Sequence, residues 1–166
     1  MVVVVIVGVL AVIAVAAIRS YVIKARANEA AAMIQAIRAA QEAYRAETNT
    51  YLSVSDSYTS WHPRDLPDEN FVSFKTDNGT PQKLRWSLLN PSAPGEGVRW
   101  VYVSVAGPAG STPQALATRE QPVWGAAQPR AWYIIQAMGD TDGDENYVYM
   151  AASSMTGVVY DESSGD

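Results

Sequence analysis

The chain contains no cysteine and only one histidine, His62, among its 166 residues. Without cysteine, the protein cannot form disulfide bonds or thiolate metal sites. A single histidine excludes metal centres that need several imidazole ligands, and a Ser–His–Asp site would have to use His62. The sequence around His62 identifies no nucleophile. We therefore predict a structural role for His62 in a loop and no enzymatic activity.

Charge is absent from residues 1–18 and unevenly spread over the rest of the chain. Residues 19–47 carry five basic and three acidic side chains, whereas residues 140–166 carry seven carboxylates and no lysine or arginine. The net charge is −5. So acidic a globular part disfavours a nucleic-acid partner, and we expect none.

Neither glycine nor proline occurs between Val9 and Pro63, and alanine is abundant in the first third of the chain. This composition predicts one helix from residue 1 to about residue 47, roughly 70 Å long at about 1.5 Å per residue. Its first part, residues 1–22, is apolar on all sides, and its second part, residues 23–47, is amphipathic.

The apolar stripe of the second part repeats at spacings of four and three residues, with Gln41 as its one polar member. Its members are Ile23, Ala27, Ala30, Ile34, Ile37, Gln41 and Tyr44. On the opposite face, the spacing predicts the ion pairs Arg26–Glu29, Arg38–Glu42 and Glu42–Arg45. We expect a domain to cover the apolar stripe.

Three interpretations of the first 18 residues remain open. A cleaved signal peptide is suggested by the small residues at Ala14-Val15-Ala16, although no basic segment precedes the run. A membrane anchor is suggested by a helical length of about 27 Å, close to the roughly 30 Å hydrocarbon thickness. A helix-assembly element is suggested by small residues that allow helices to approach closely.

Beyond residue 48 the sequence changes to short strand-like segments and turns. The predicted strands are Phe71–Thr76 and Lys83–Leu89, joined as a hairpin by Asp77-Asn78-Gly79, then Val98–Ala106, Trp132–Met138, and Val148–Ala151 or Val158–Asp161 at an edge. We expect loops at 90–97 and 107–130, with a short helix near Pro113–Thr118. A helix followed by strands predicts the α+β class, with an antiparallel sheet in a domain over residues 48–166 that packs on the long helix.

The segment MVVVVIVGVLAVIAVAAIRSY, followed by an amphipathic helix that ends in AYRAETNTYL, resembles type IV pilins and the related pseudopilins. The resemblance covers residues 1 to about 52. It implies a pilin fold and a structural subunit of a helical extracellular filament, a fimbrium of the kind used in adhesion and motility. The alternatives are a pseudopilin of a type II secretion system and a single-span periplasmic binding domain.

Members of this family begin with a methylated phenylalanine, and a glutamate and a few other residues precede the part present here. Because the chain starts inside that motif, the resemblance implies that its N-terminus is truncated. It also implies an inner-membrane precursor, the pilus assembly machinery and other copies of the same chain as partners. The assembly residues expected on this basis are Met1, Val5, Gly8, Leu10, Ala11, Ile13, Ala14, Ala17, Ile18 and Tyr21.

Two charged groups complete the candidate sites. The cations Arg19, Lys24 and Arg26 follow the apolar run and are candidates for pairing with carboxylates of neighbouring subunits. The carboxylates Asp140, Asp142, Asp144 and Glu145 alternate on a turn and offer oxygen ligands of the type that Ca²⁺ prefers. Their spacing is not that of an EF-hand, so the alternatives are a solvated acidic turn and a calcium site. No other cofactor is expected.

Overall fold

The computed structural model describes residues 2–74, 79–95, 97–114 and 124–162. One long helix, α1, runs over Val2–Thr48, and a short helix, α2, runs over Pro81–Leu89. The four strands are β1 (Val101–Gly107), β2 (Trp132–Gly139), β3 (Val148–Ser153) and β4 (Val159–Asp161). The predicted α+β class and the unbroken N-terminal helix are both confirmed.

The four strands form one antiparallel sheet in the order β1-β2-β3-β4. The register places Tyr102 opposite Ala137 and Gln136 opposite Ala151. The outer side of β1 is covered by the chain that follows α1, because the Ser104 carbonyl accepts hydrogen bonds from the backbone N–H groups of Val54 and Ser55. The two segments proposed as alternative edge strands both form strands, β3 and β4.

One face of the sheet packs against the second part of α1. The predicted stripe is confirmed, with Ala30, Ile34, Ile37 and Gln41 buried and Met33 beside them. These residues meet aromatic and aliphatic side chains of β1 and β2, chiefly Tyr102, Tyr133 and Ile135. Burial of each large apolar side chain contributes about 1.5–3 kcal/mol. This contact therefore holds the part of the chain that follows α1 and contains the sheet, called the head below, on the helix.

The other face of the sheet carries a second apolar layer, formed by Val103, Val105, Trp132, Ile134 and Ala151. Tyr58, in the chain between α1 and α2, covers this layer. In β1, Val103 and Val105 lie in this layer whereas Tyr102 faces α1, as the alternation along the strand predicts. The sheet is therefore the central layer of the head.

Residues 83–89 form part of helix α2, so the predicted strand Lys83–Leu89 and the hairpin that contained it are wrong. Thr80 caps the helix, because its hydroxyl oxygen accepts a hydrogen bond from the Lys83 N–H at 3.3 Å. Pro81 occupies the first turn, where its missing N–H costs nothing. Residues 75–78, which include most of the predicted turn, lie outside the described residues; Val72 instead pairs with Val98 in an isolated antiparallel bridge.

The predicted loops at 90–97 and 107–130 are irregular wherever the structure describes them, except that Gly107 is the last residue of β1. Pro113 and Gln114 are not helical, and the rest of the short helix expected at Pro113–Thr118 lies outside the described residues.

Candidate functional site

The first half of α1 is exposed on all sides, and this apolar surface is the candidate functional site. Its large apolar residues keep between 54% and 74% of their surface in solvent, namely Val2, Val3, Val4, Val5, Ile6, Val7, Val9, Leu10, Val12, Ile13, Val15 and Ile18. If each contributes about 1.5–3 kcal/mol on burial, covering them stabilises the protein by on the order of 20 kcal/mol. The surface therefore needs lipid or protein around it.

Among the described residues, α1 is the one helix long and apolar enough to cross a membrane, and none of its most apolar window is buried in the head. Length and composition of this kind also occur in signal sequences and in the core helices of soluble proteins. In α1 the apolar part continues, without a break, into the part that carries the head.

Most of the predicted assembly residues are part of this exposed surface. Val5, Gly8, Leu10, Ala11, Ile13, Ala14, Ala17, Ile18 and Tyr21 are all exposed, and Met1 lies outside the described residues. A Cβ atom built on Gly8 would meet nothing within 4 Å. Gly8 therefore leaves open space beside the helix, where the backbone of another helix can approach.

The head meets α1 at Arg26, where the exposed half of the helix ends. The Arg26 guanidinium donates a hydrogen bond to the Thr141 carbonyl at 3.0 Å and lies 3.4 Å from Oε1 of Glu69. Arg26 thus contacts two loops of its own chain, one of them the acidic turn. Lys24, two residues before Arg26, is exposed, and the Arg19 side chain is outside the described part of the structure.

A second charged contact lies one turn further along α1. The two carboxylate oxygens of Glu29 accept hydrogen bonds from the backbone N–H and the guanidinium of Arg99, at 2.9 and 3.1 Å. The Arg99 guanidinium also lies over the ring of Phe71, 3.6 Å from its centroid. Together with Arg26, this contact ties the base of the head to the helix.

The predicted Arg26–Glu29 ion pair is therefore wrong, because each member binds a partner in the head. Arg38 also turns to the head and donates to the carbonyls of Thr156 and Gly157, both at 3.3 Å. The predicted pair of Glu42 and Arg45 is present at 3.9 Å. A helical i,i+3 or i,i+4 pair contributes only about 0.2–0.5 kcal/mol, less than a hydrogen bond between a charged group and a partly buried partner.

The acidic turn brings three carboxylates together at the base of the head. Oxygens of Asp140, Asp142 and Asp144 lie within 4.8 Å of one another. The Asp140 carboxylate accepts hydrogen bonds from the N–H groups of Gly143 and Glu145, at 2.7 and 3.2 Å. Asp144 likewise accepts two from Asn146. Most of the carboxylate oxygens therefore already serve to hold the turn in shape.

Asp142 and Asp144 are close neighbours, and their pKa values are shifted in opposite directions. Desolvation and the neighbouring Asp144 carboxylate raise the pKa of Asp142 above its usual value. Hydrogen bonds from Asn146 lower the pKa of Asp144. The turn therefore carries one carboxylate whose negative charge is stabilised by local donors and one whose charge is not.

His62 lies within the head, as expected for a structural residue. The residue is 2% exposed, and its ring stacks on Trp86 at 5.2 Å between centroids and meets Phe74 edge to face at 4.8 Å. Its Nε2 donates a hydrogen bond to the Phe74 carbonyl at 2.9 Å. Burial lowers the pKa of His62 to about 4. The neutral imidazole therefore connects Trp86 of α2 to Phe74 in the loop that precedes this helix.

A cleft of about 690 Å³ lies beside the base of the head. One wall is the helix surface at Ala25, Asn28 and Glu29, and the other consists of two loops that include Phe71 and Pro94. Most of its surface is apolar, and both oxygens of Glu29 already accept bonds from Arg99. The cleft has room for an apolar group, and Glu29 is the one carboxylate among the described residues that line it.

Sequence reasoning missed Arg99 and helix α2. For α2 a signal existed, since threonine before proline is a helix start as well as a turn element. For Arg99 no local signal existed, because its partner Glu29 is 70 residues away in the chain.

Comparison of the chain with protein-family models, curated proteins and solved structures finds no match in any of the three. A long apolar N-terminal helix that carries a small antiparallel sheet is compatible with a pilin-like fold.

Proposed function

We propose that the chain is the structural subunit of a helical filament of the type IV pilus kind. The observation that carries this proposal is the exposure of the described apolar side chains in the first half of α1, in a helix whose second half packs one face against the head. A helix that is apolar all round is stable only inside an apolar environment. Other copies of the same segment provide one.

Before assembly, the inner membrane covers this segment. Residues 2–18 span roughly 26 Å as a helix, which suits the hydrocarbon layer. Tyr21 and Lys24 follow at the level of the lipid headgroups, where aromatic and cationic side chains are favoured. The membrane thus stores the subunit with its head on one side.

During assembly, the apolar segment leaves lipid and packs against other copies. Gly8, Ala11, Ala14 and Ala17 are small and exposed, so neighbouring helices can approach closely at these positions. Because all copies point the same way, contacts between them are heterologous and build an open helical polymer. The heads form the exterior of the filament at the cell surface, and the assembly machinery implied by the resemblance inserts each subunit.

Assembly of the full-length protein on removal of detergent tests this proposal. We expect filaments in electron micrographs of the wild-type protein and none for Ala14→Lys, which places a charge in the apolar segment. Ala39→Lys is the matched control, because Ala39 is exposed in the second half of the same helix. Circular dichroism should show equal folding of all three proteins.

The outcomes separate the candidate functions. Equal assembly of Ala14→Lys and wild type would contradict a role for the apolar segment. A wild-type protein that stays monomeric would favour the membrane-anchored binding domain, for which the cleft beside Glu29 is the place to seek a ligand. Short fibres restricted to the periplasm would favour a secretion pseudopilin.

A further inference from the structure

A pocket of about 300 Å³ lies beside the last turn of α1. Arg45, from that turn, and Tyr51 line one side of it, and residues that lead into β2 line the other. Arg45 lies roughly 28 Å beyond Arg26 along the helix, at about 1.5 Å per residue, so the pocket is at the end of the head away from the exposed half of α1. It is called the distal pocket below.

Two guanidinium groups line the distal pocket, those of Arg45 and Arg130, and no carboxylate is found among the described residues that line it. Arg130 is exposed and makes no hydrogen bond or ion pair with the described part of the chain. Arginine carries five N–H donors in a planar fork and accepts no hydrogen bond. The donors of Arg130 are therefore available to a ligand.

Arg45 is held in place through one of its nitrogen atoms. Its Nη1 donates a hydrogen bond to the Tyr51 hydroxyl at 2.8 Å and lies 3.9 Å from the Glu42 carboxylate. The guanidinium also lies over the Tyr51 ring, 5.0 Å from its centroid. Nε and Nη2 have no hydrogen-bond partner among the described residues. This edge of the guanidinium can therefore donate two parallel bonds to an anion.

Glu42 offsets only part of the positive charge. Its carboxylate is about half-exposed, and one of its oxygens already accepts a hydrogen bond from the Tyr51 hydroxyl at 3.0 Å. An exposed ion pair at 3.9 Å contributes little, because water and salt screen it. Since Arg130 has no acidic partner in the described part of the chain, the distal pocket keeps a net positive charge.

The chain on both sides of Arg130 is fixed to the loop that follows β1. Gln128 donates its backbone N–H to the Ser111 carbonyl at 3.0 Å and accepts at its own carbonyl from Gly110 at 2.7 Å. Trp132 donates its indole N–H to the Ser111 hydroxyl at 2.9 Å. The backbone that carries Arg130 therefore has a defined position beside the pocket.

A third donor in the distal pocket is the Ser154 hydroxyl. Its oxygen accepts a hydrogen bond from the Tyr133 N–H at 3.1 Å, and its hydrogen has no acceptor among the described residues. The Ser154 N–H also donates to the Tyr133 carbonyl at 3.1 Å, which fixes Ser154 next to the end of β3. The pocket thus offers donors from three separate segments of the chain.

This donor set favours a tetrahedral oxyanion over a carboxylate. A carboxylate presents its two oxygens along one edge, which suits a single guanidinium, whereas phosphate and sulfate present oxygens on several sides. The volume of the pocket lies at the small end of the range for ligand sites, about 300–1,000 Å³. There is therefore room for the anionic group and for part of a small molecule that carries it.

We propose that the distal pocket binds a phosphate or sulfate group, as the free ion or on a small polar molecule such as a sugar. Arg45, Arg130 and Ser154 donate the hydrogen bonds that hold the group. The pocket is built from one copy of the chain, so this binding is independent of the proposed filament.

Calorimetric titration of the full-length protein in detergent with inorganic phosphate tests this inference. We expect one phosphate per chain, bound with an affinity that falls roughly tenfold or more in Arg130→Gln, because hydrogen bonds to a charged group are lost. Lys24→Gln is the matched control, since it removes the same charge from an exposed position far from the pocket and should keep the wild-type affinity. Circular dichroism should show equal folding of all three proteins.

Titrations with glucose 6-phosphate and acetate identify the ligand. Glucose 6-phosphate that binds at least as tightly as inorganic phosphate would support a group carried on a sugar, and weaker binding would support the free ion. Acetate that binds as tightly as inorganic phosphate would overturn the assignment of a tetrahedral oxyanion.

Two further results would overturn the site itself. One is a wild-type protein that binds neither inorganic phosphate nor glucose 6-phosphate at millimolar concentration. The other is an equal loss of affinity in Arg130→Gln and Lys24→Gln, because binding would then follow the net charge of the chain and not the distal pocket.

Discussion

The side-chain amide of Gln41 donates a hydrogen bond to the hydroxyl of Ser104 at 3.0 Å, in the middle of the contact between α1 and the sheet. The same amide donates to the Leu52 carbonyl and accepts from the Leu52 N–H. One buried side chain thus connects the long helix, the first loop and β1. All of its contacts lie within the chain.

Replacing Gln41 by alanine should lower the free energy of unfolding by about 2–3 kcal/mol, because it leaves the Leu52 backbone groups without partners in a buried site. Gln35→Ala is the matched control, since Gln35 is exposed on the same helix and its loss should change stability by less than about 0.5 kcal/mol. Denaturant unfolding of the detergent-solubilised protein measures both. Equal effects would contradict the anchoring role of Gln41.

Arg26→Gln should loosen the base of the head, because it removes the bonds to Thr141 and Glu69. We expect a loss of about 1 kcal/mol in the free energy of unfolding and faster hydrogen exchange in residues 140–145. Lys24→Gln removes the same charge from an exposed position two residues away and should change neither. Exchange that is unchanged in Arg26→Gln would contradict the contact.

A second pair of substitutions tests whether the other two cations, Arg19 and Lys24, bind neighbouring subunits. If Arg19 and Lys24 pair with carboxylates of neighbouring subunits, Arg19→Gln/Lys24→Gln should weaken filaments at high salt while the isolated head stays as stable as before. Filaments that resist salt as well as the wild type would contradict that pairing.

The pH dependence of stability should contain a contribution from His62. Burial lowers its pKa from 6.5 to about 4 in the folded protein, so the unfolded state binds more protons between these values. This contribution is fully present above pH 6.5 and is lost as the pH falls toward 4, by up to about 3 kcal/mol. His62→Gln should have a flatter curve over this range. Parallel curves for the two proteins would contradict a buried neutral imidazole.

Calcium distinguishes the two interpretations of the acidic turn. Because Asp140 and Asp144 already accept backbone and amide hydrogens, we expect the turn to hold its shape without an ion and the melting temperature to stay constant in millimolar calcium. A rise in melting temperature that Asp142→Asn abolishes would establish a calcium site instead. Without calcium, Asp142→Asn should stabilise the protein, because it removes a charge that desolvation and Asp144 disfavour.

Sequence patterning was sufficient for the parts of the fold that local periodicity determines. The spacing of Ala30, Ile34 and Ile37 predicts the buried face of α1, and the alternation in β1 predicts which residues face the helix. It also placed Gln41 on the buried side without showing its partners. Those partners come from residues 52 and 104, whose positions depend on the whole chain.

The errors have the same physical origin. The pairing of Arg26 with Glu29 was plausible by helical spacing, but tertiary partners offer stronger bonds than a neighbour on an exposed helix face. The strand predicted at Lys83–Leu89 is wrong because a short run with apolar residues is compatible with a strand and with a helix. The Thr80 cap and Pro81 in the first turn favour the helix. The sequence predicts that the candidate site, the first half of α1, is apolar. That the head leaves this half exposed depends on where the head packs along the helix, which local sequence does not determine.

Electron microscopy of material sheared from the surface of cells that make this protein tests the central claim most directly. With an antibody against the head, the account predicts labelled filaments along their whole length, and none from cells that make Ala14→Lys. Surface material without such filaments, from cells whose membranes contain the wild-type protein, would contradict the account.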